Sequence, residues 1–295
     1  MEMEFADFLA QAQALMKKGG PEPHEYEEIS ASCAYFNNKK LSVEEELKLH
    51  EVLKPMLNVD TMIGFSFQKP NGYAGDFELI DRIYQYWKSP ANTFFHAWDN
   101  YSHDLDATKA VRNRKTYINK LLVNLQNRKK SPLVLNLGSG PCSDIHQFFT
   151  NNPKTKVHFD CLDMDSKAID YGSAVCDNYI DSITFINKNA FRYKPDHQYD
   201  LIWSAGLFDY FNDKLFVRLL NRTYKLLSVD GMMAVGNFSD TNTAQGAMEL
   251  LGQWYLHHRS KEHLVELAIK AGVPADKIEV HSEKTGVNLF LHLHK

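Results

Sequence analysis

Apolar residues recur at helical spacing at the start of the chain, with polar and charged residues between them. The apolar positions of the first such segment are Phe5, Phe8, Leu9, Ala12, Leu15 and Met16. This spacing of three and four residues predicts an amphipathic helix, which the two glycines and the proline at positions 19–21 would end. A second helix is predicted to begin near Pro23. Ser42, followed three residues later by Glu45, has the spacing of a capping box that would begin a third.

The stretch TMIGFSFQKPNGYAGD, residues 61–76, has a different character. Its proline, asparagine and glycines predict a shaped loop rather than a helix. We expect this loop either to form part of an active-site wall, with Tyr73 and Asp76 as its polar groups, or to be only a connector. A helical pattern then returns from residue 77 to about 125. It includes His103 and a basic turn with Arg112, Arg114 and Lys115, which either faces solvent or holds a carboxylate of the substrate or of the cofactor.

Short apolar runs alternate with helical segments from residue 132 onward. The predicted strands are 133–135, 157–162, 183–186, 199–205 and 232–236. The predicted helices include 166–176, 213–227 and 243 to about 271, the last as one helix or in two pieces. The turn SVDG is predicted to separate the second of these helices from the last of these strands. Such alternation predicts an α/β fold with a Rossmann-like, mostly parallel sheet and helices on both of its faces.

The chain is predicted to end in two strands, KIEVHSE and VNLFLHLH, that have no helix between them. They must therefore pair as an antiparallel hairpin. The predicted organisation is a helical N-terminal region, residues 1–125, a polar linker, and an α/β domain, residues 132–295. We expect the helical region to fold over the open edge of the sheet as a lid and to supply the acceptor pocket.

Composition narrows the class of protein. The 295 residues are 44% hydrophobic and 24% charged, with a net charge of −4. This balance argues against a general nucleic-acid binder. No stretch has the length and apolarity of a signal peptide or a membrane span, so no stable membrane insertion is expected. The four scattered cysteines are expected to be reduced thiols of a cytoplasmic protein.

The segment LVLNLGSGPCSD, residues 133–144, combines an apolar strand with a glycine turn at Gly138 and Gly140 and the start of a helix. This geometry brings backbone N–H groups close to a nucleotide-like ligand. A dinucleotide is disfavoured, because Ser143 stands where the third glycine of that fingerprint belongs. Asp163, at the end of the second strand, fits a contact to ribose hydroxyls. Asp165 is the better candidate to cap the following helix.

Four blocks of this sequence resemble the class I S-adenosylmethionine-dependent methyltransferases: NLGSG, LDMD, NKNAF and YDLIWSAGLFDYF, within residues 132–295. The resemblance implies a seven-stranded sheet with an antiparallel last strand and S-adenosyl-L-methionine as cofactor. The implied cofactor-binding residues are Asn136, Gly138, Gly140, Asp163, Met164, Asn189, Ala190, Ser204 and Ala205. The chain departs from the family pattern at Asn136, where an acidic residue is common, and at Asn189, where aspartate is frequent.

A narrower resemblance covers about residues 60–295. The segments QKPNGYAGD, LGSGPCSD, WSAGLFDYF, GNFS and WYLHHRS are similar to bacterial methyltransferases that make 3-hydroxypalmitic acid methyl ester, an extracellular signalling factor. The resemblance implies a small-molecule acceptor, with the carboxylate of a 3-hydroxy fatty acid as the leading expectation. Methyltransferase folds share cofactor blocks while their substrates diverge, so the acceptor follows by analogy alone.

The chemistry of methyl transfer suggests which residues to look for. The acceptor must be aligned in line with the methyl group, and a carboxylate acceptor needs no general base, whereas a hydroxyl or ammonium acceptor does. Candidate bases are His103, His257 and His258. Tyr73 and Tyr210 are candidates for positioning the acceptor. The candidate substrate-binding residues are Asp76, Arg112, Phe208 and Arg259.

Two alternatives to this function remain open from the sequence. One is an N- or O-methyltransferase of a natural product or amino-acid derivative, and the other is a module that binds S-adenosylmethionine without catalysis. No metal site is predicted, because His257 and His258 point in different directions on a helix and because His292 and His294, on one strand face, have no evident further ligand. A homo-oligomer is left open.

Overall fold

The computed structural model describes residues 3–295 and divides the chain into two compact units. The first unit is Met1–Lys109 together with Asn242–Tyr255, and the second is Ala110–Thr241 together with Leu256–Lys295. The segment 242–255 therefore belongs to the helical unit although it lies far along the chain. Within residues 3–295, no helix combines the length and the apolar character that crossing a membrane requires.

Twelve α-helices are formed by the described residues. They are α1 (Phe5–Lys18), α2 (Tyr26–Lys39), α3 (Val43–Leu53), α4 (Met62–Gln68), α5 (Phe77–Tyr84), α6 (His96–Asp104), α7 (Asp106–Arg128), α8 (Ser143–Asn151), α9 (Ser166–Val175), α10 (Asp213–Tyr224), α11 (Gln245–Leu250) and α12 (Lys261–Lys270). The expected break after α1 is confirmed at Gly19, whose backbone is left-handed. The capping box of α3 is also confirmed, since Ser42 accepts from the backbone N–H of Glu45.

The loop prediction for residues 61–76 is wrong in its first half, which is helix α4. Thr61 caps this helix by accepting a hydrogen bond from the N–H of Gly64 at 2.8 Å, and its own hydroxyl donates to the carbonyl of Met56. Most of the α4 side chains are buried. Burial of this short apolar run therefore outweighs its weak helical signal, and the irregular segment is confined to residues 69–76.

The helix predicted for residues 77–125 is interrupted between α5 and α6. The buried carboxylate of Asp99 accepts hydrogen bonds from the N–H and the hydroxyl of Ser89 at 2.8 and 2.6 Å. It also accepts from the N–H of Met62, at 2.8 Å. These charge-assisted bonds hold the irregular segment 85–95 in place of helical backbone bonds. The helical pattern predicted for residues 77–125 therefore holds in α5, α6 and α7 and is wrong for the segment 85–95.

The core of the first unit is a cluster of apolar side chains from α1, α2, α3, α6 and α11. The rings of Phe8 and Phe36 stack with their centroids 4.7 Å apart. Gly246 lets α11 lie close to α2, because a Cβ there would meet the carbonyl oxygen of Cys33 at 2.6 Å. The sequence pattern predicts a helix that includes residues 245–250, but only the tertiary structure shows that α11 packs in the core of the first unit.

The second unit is built on a seven-stranded sheet, as the sequence analysis predicts. Its strands are β1 (Leu133–Leu137), β2 (His158–Asp163), β3 (Ile183–Asn187), β4 (Tyr199–Ser204), β5 (Leu227–Phe238), β6 (Ile278–Ser282) and β7 (Asn288–His294). Their order is β3-β2-β1-β4-β5-β7-β6. Strands β1 to β5 pair in parallel, and β7 pairs antiparallel with both β5 and β6, which confirms the terminal hairpin.

The predicted turn SVDG is wrong, because strand β5 already begins at Leu227 and runs through it. The hydroxyl of Ser228 donates to the carboxylate of Asp200 at 2.9 Å, which ties the start of β5 to β4. Asp230 adopts a left-handed backbone with φ 62° without ending the strand. The turn residues therefore produce an irregularity inside a long strand rather than a boundary.

Apolar residues that alternate along the strands fill a core on each face of the sheet. On one face, Leu135 and Ile202 belong to the same cluster as α10 and α12. On the other, Val134 and Trp203 pack in a cluster with α7 and α8. The chain enters at β1 and continues to β2 and β3 on one side and to β4 and β5 on the other. The crevice beyond the carboxyl ends of β1 and β4 is the place where such sheets bind ligands.

Candidate active site

The glycine turn after β1 forms an open cradle at this crevice. Gly138 and Gly140 have φ angles of 69° and 53°, in the left-handed region that favours glycine. The N–H groups of Gly138 and Ser139 donate to the carbonyl of Leu162 at 2.8 and 3.1 Å, so the turn is anchored to β2. A Cβ built on Gly140 would meet no atom within 4 Å. The backbone of this turn therefore borders empty space that a ligand can enter.

Asp163 stands beside the glycine turn at the end of β2. Its two carboxylate oxygens accept from the N–H groups of Gly140 and Asp165, each at 3.0 Å. Burial raises the pKa of Asp163 above its usual value, and the backbone bonds oppose that rise. Each oxygen keeps a further lone pair that a ribose hydroxyl can use. The predicted capping role of Asp165 is confirmed, since it accepts from the N–H of Lys167.

Two buried polar atoms near the turn have no hydrogen-bond partner within residues 3–295. They are Nδ2 of Asn136 and Oγ of Ser139. An unsatisfied buried polar group costs about 1–3 kcal/mol, so such groups call for a partner outside the protein. The cradle, the carboxylate of Asp163 and these two atoms together fit a ligand that has ribose hydroxyls and amino-acid polar groups. S-adenosylmethionine has both.

The remaining predicted cofactor residues lie at the ends of β2, β3 and β4. Met164 is 69% exposed and offers an apolar side chain directly after Asp163. Asn189 accepts from the N–H of Phe191 at 2.9 Å, and Ala190 begins the short 3₁₀ helix that follows. The hydroxyl of Ser204 donates to the carbonyl of Leu137 at 2.8 Å, which ties the ends of β4 and β1 together. Ala205 is half-buried at the same edge.

Arg114, on α7, belongs to the predicted basic turn, of which only Arg112 was predicted as a substrate ligand. It is 4% exposed, and its Nε donates to Oδ1 of Asn288 at 2.7 Å. Its Nη2 is buried and has no hydrogen-bond partner within the described part of the chain. That Nη2 forms an ion pair with the buried Asp209, whose Oδ2 lies 3.7 Å away, beyond hydrogen-bond distance. The buried guanidinium thus has a charge partner, and its Nη2 keeps a hydrogen-bonding capacity that an anion can use.

The guanidinium of Arg114 lies at the carboxyl end of β4. A Cβ on Gly206, two residues after that strand, would stand 2.6 Å from Nη1 of Arg114. On the other side of the same turn, a Cβ on Gly138 would meet Leu207 at 3.0 Å. The arginine and the glycine turn therefore both border the segment 205–207, at the crevice where the ligand is expected.

The helical pattern contained a signal for this arginine. Ala110, Val111 and Ile118 are fully buried, and Arg114 shares their face at a spacing of three or four residues. Arg112, the predicted substrate ligand, is only half-buried and lies about 200° around the helix from Arg114. Both arginines belong to the predicted basic turn, and helical periodicity places Arg114 rather than Arg112 on the buried face of α7.

Asp209 connects the parts of this site. Its Oδ1 accepts from the N–H of Phe238 at 2.7 Å, and its backbone carbonyl accepts from the N–H of His257 at 2.8 Å. Burial raises the pKa of Asp209 to about 6, and the positive charge of Arg114 opposes that rise. Asp209 therefore holds the segment after β4 against the end of β5, and its carboxylate forms an ion pair with Arg114.

The raised pKa of Asp209 predicts a pH-dependent contribution to stability. Between pH 4 and 6 the native state holds a proton that the unfolded state has lost, so stability falls as the pH rises through this interval. The rise of the pKa of Asp209 to about 6 corresponds to about 3 kcal/mol of free energy of unfolding. We expect urea denaturation to show that the free energy of unfolding of wild type falls by about this amount between pH 4 and 6.5, relative to that of Asp209→Asn. Parallel pH profiles of the two proteins would contradict this assignment.

Two predicted substrate residues have packing roles in the fold. Phe208 is fully buried, with its ring 5.0 Å from that of Phe216. Arg259 is 2% exposed and donates to Asn237 at 2.8 Å and to Asp213 at 3.0 Å. It ties the end of β5 to the start of α10. The contact of either residue with an acceptor stays a prediction.

A cavity of about 500 Å³ opens beside this network in the second unit. It is lined by Asn212, Asp213, Lys214, His257, His258, Arg259 and His263. The fold thus brings the two candidate bases His257 and His258 into one cavity. Tyr210, 38% exposed, lies two residues before the first lining residue and keeps its proposed role in positioning the acceptor.

The other candidates belong to the first unit. Tyr73 is 38% exposed, whereas His103 is 3% exposed and has Nε2 at 2.7 Å from the carbonyl of Trp87. A carbonyl only accepts, so this nitrogen of His103 carries the proton and is not free to act as a base. Asp76 is 1% exposed and caps α5 by accepting from the N–H of Leu79 at 2.9 Å. Asp76 therefore has a structural role whatever else it contacts.

Comparisons with known proteins agree with this fold and site. Residues 134–231 match the family described as a methyltransferase domain. The chain is 26% identical over 127 residues to malonyl-[acyl-carrier protein] O-methyltransferase 1 of Ilyobacter polytropus, which covers 43% of this chain and 46% of that enzyme. The match therefore spans about half the length of the curated relative.

Two solved structures share the fold along nearly the whole chain. A protein of Bordetella parapertussis, described as a possible exported protein, has a TM-score of 0.67 at 17% identity and covers 99% of this chain and 95% of its own. A candidate O-methyltransferase of Nostoc punctiforme has a TM-score of 0.55 at 13% identity, and the match covers 98% of this chain and 95% of that protein. At these identities the likeness shows the fold alone.

The sheet order and the glycine turn agree with the methyltransferase domain that residues 134–231 match, and these findings together support a class I S-adenosylmethionine-dependent methyltransferase. The cofactor of such domains is S-adenosylmethionine, and the cradle at Gly138 and Gly140 with Asp163 fits it.

Proposed function

We propose that this protein transfers the methyl group of S-adenosylmethionine to a carboxylate oxygen of a small acyl molecule, with a 3-hydroxy fatty acid as the leading candidate. The observation that carries this proposal is the Nη2 of the buried Arg114 at the carboxyl end of β4, which is ion-paired with Asp209 but has no hydrogen-bond partner within residues 3–295. A buried guanidinium N–H without a hydrogen bond is suited to a carboxylate oxygen, because hydrogen bonds between charged groups are strong.

In this proposal, different residues of the second unit bind the cofactor and orient the acceptor. The bound sulfonium supplies the electrophilic methyl group. Gly138, Gly140 and Asp163 hold the cofactor, and Arg114 orients the acceptor carboxylate at the adjoining edge of the sheet. Such alignment of two reactants is a large part of the rate enhancement available to a displacement reaction. A carboxylate is already ionised at neutral pH, so the reaction needs no general base.

The curated relative supports an oxygen acceptor. Its name states O-methylation of a malonyl group on an acyl-carrier protein, and a malonyl group ends in a free carboxylate. The similarity to that enzyme is partial, so the acceptor is carried to this chain only as part of the proposal. We also propose a reducing, cytoplasmic location, since Cys33, Cys142, Cys161 and Cys176 are all free and buried.

A second candidate function is methylation of a hydroxyl or amine of a natural product or amino-acid derivative. The cavity that His257 and His258 line favours it, because such acceptors need a base. A protein that binds the cofactor without transferring the methyl group is the remaining alternative. It differs from both enzymes in giving no product with any acceptor.

A pair of experiments tests the proposal. Calorimetric titration with S-adenosylmethionine, and separately with NAD, is expected to give binding of the sulfonium alone. The protein is then incubated with labelled cofactor and either 3-hydroxyhexadecanoic acid or the matched 1,3-hexadecanediol, which lacks the carboxylate. Mass spectrometry should detect the methyl ester from the acid and no product from the diol. An ether product from the diol would favour the base-dependent alternative, and cofactor binding without any product would contradict methyl transfer.

A further inference from the structure

The hairpin of β6 and β7 carries a cluster of metal-ligand side chains on one face. His292 and His294 are two residues apart on β7, so both point to the same side of the sheet. In the antiparallel register Glu279 of β6 lies directly opposite His292. One ligand atom from each of these three residues lies within 4.8 Å of the other two. The pairing of β6 with β7 thus supplies a third ligand next to the two histidines.

Neighbouring side chains orient two of these groups. The hydroxyl of Tyr117 lies 2.8 Å from Nε2 of His292 and fixes the orientation of that ring. Nε2 of His281 lies 2.8 Å from Oε2 of Glu279, and the His281 ring centroid is 4.5 Å from that of His292. Hydrogen bonds from such outer groups orient metal ligands in proteins.

One nitrogen of the cluster has nothing to bond with in the protein. Nε2 of His294 is buried and has no hydrogen-bond partner within residues 3–295. A buried ring nitrogen without a partner costs free energy, and a ligand outside the chain would satisfy it. This observation is independent of the spacing of the three residues and points to the same location.

We propose that Glu279, His292 and His294 bind a zinc ion. Imidazole and carboxylate ligands suit zinc, and two histidines with one glutamate form a known type of three-ligand set that leaves a fourth position for water. Zinc bonds of about 2.0–2.2 Å require the ligand atoms to approach one another further. Glu279 can make this adjustment, because it is exposed and lies on the edge strand β6.

The position of the cluster indicates a structural role for the ion. His292 is in the row of the sheet that passes through Ala234, Trp203 and Asn136, so it lies three strands away from β1. This separation is about 14 Å at the usual strand spacing. Among residues 3–295, strand β6 pairs with β7 alone, and an ion bound by both strands would fasten this edge. Zinc binding should therefore be independent of S-adenosylmethionine.

The test is a titration of the full chain, freed of metal by a chelator, with zinc chloride. Calorimetry is expected to give one site, and the melting temperature should rise by several degrees because the ion binds only the native state. Magnesium chloride, which prefers oxygen ligands, should give neither effect. The variants His294→Gln and Glu279→Gln should each bind zinc at least about tenfold more weakly. The control His158→Gln, on β2, should bind it as wild type does.

Each other outcome would overturn the proposal. Absence of saturable binding would do so, as would equal affinity in wild type and both cluster variants. If alkylation of the buried thiols removed binding while His294→Gln kept it, the cysteines would be the ligands. Circular dichroism of the metal-free variants shows whether they are folded. No step uses the cofactor or an acceptor, so the result is separate from the test of methyl transfer.

Discussion

Replacement of Asp163 by alanine should weaken the binding of S-adenosylmethionine at least about 30-fold. The carboxylate lies beside the glycine turn and accepts from the N–H groups of Gly140 and Asp165. In the proposed ribose contact, the variant loses hydrogen bonds from hydroxyls to a charged group, each contributing about 1.5–3 kcal/mol. It also removes the acceptor that positions Gly140 in the cradle. Calorimetry with S-adenosylmethionine and with S-adenosylhomocysteine should give the same loss, because both carry the ribose.

Asp165→Ala is the matched control for this prediction. Asp165 is two residues further along and caps α9 through the N–H of Lys167. Its replacement should reduce the free energy of unfolding by about 1 kcal/mol. Cofactor affinity should change little. If Asp163→Ala bound the cofactor as tightly as wild type does, the ribose assignment would be wrong. If both variants lost affinity equally, the effect would belong to the start of α9 rather than to a ribose contact.

Replacement of Arg114 by glutamine should lower kcat/KM for a carboxylate acceptor by a factor between about 30 and several thousand. Removing one partner of a buried, hydrogen-bonded charge pair costs about 2–5 kcal/mol, and each 1.4 kcal/mol is a factor of ten in rate. The loss should appear for carboxylate acceptors, since the Nη2 that lacks a hydrogen bond is the atom proposed to bind them. Initial rates with 3-hydroxyhexadecanoic acid at saturating cofactor give this quantity.

The effect of Arg114→Gln on stability must be separated from its effect on substrate. The variant leaves the buried Asp209 without the positive charge that lies 3.7 Å away, which is destabilising. The double variant Arg114→Gln with Asp209→Asn removes both charges and should recover part of the stability but none of the activity. Arg112→Gln, on another face of the same helix, is the control and should keep wild-type kinetics.

The affinity of Arg114→Gln for the cofactor shows whether Arg114 binds the carboxylate of the acceptor or that of S-adenosylmethionine. The methionine part of S-adenosylmethionine also ends in a carboxylate, and the crevice borders both ligands. Unchanged affinity for S-adenosylhomocysteine in Arg114→Gln, together with reduced kcat/KM, is the result expected for an acceptor ligand. A loss of cofactor affinity as large as the loss of kcat/KM would assign Arg114 to the cofactor instead.

Structural features that depend on residues close together along the chain could be predicted from the sequence of this protein. The turn at Gly138 and Gly140 follows from backbone angles that glycine permits, and the caps at Ser42 and Asp165 follow from side chains that reach N–H groups two or three residues away. Alternating strand and helix patterns predicted the parallel sheet, and the missing helix before β7 predicted the hairpin. Each of these signals is local, so the order of residues alone determines it.

Features that require distant segments to meet were decided by the tertiary structure. Helix α4 and the long strand β5 form because burial and side-chain bonds to other segments outweigh the local turn signals. Arg114 becomes a ligand candidate only where α7 passes Gly206, and Glu279 joins His292 only in the register of β6 with β7. Spacing along the chain does not encode these distances. They follow from the packing of helices on the sheet and from strand order, which depend on the whole sequence at once.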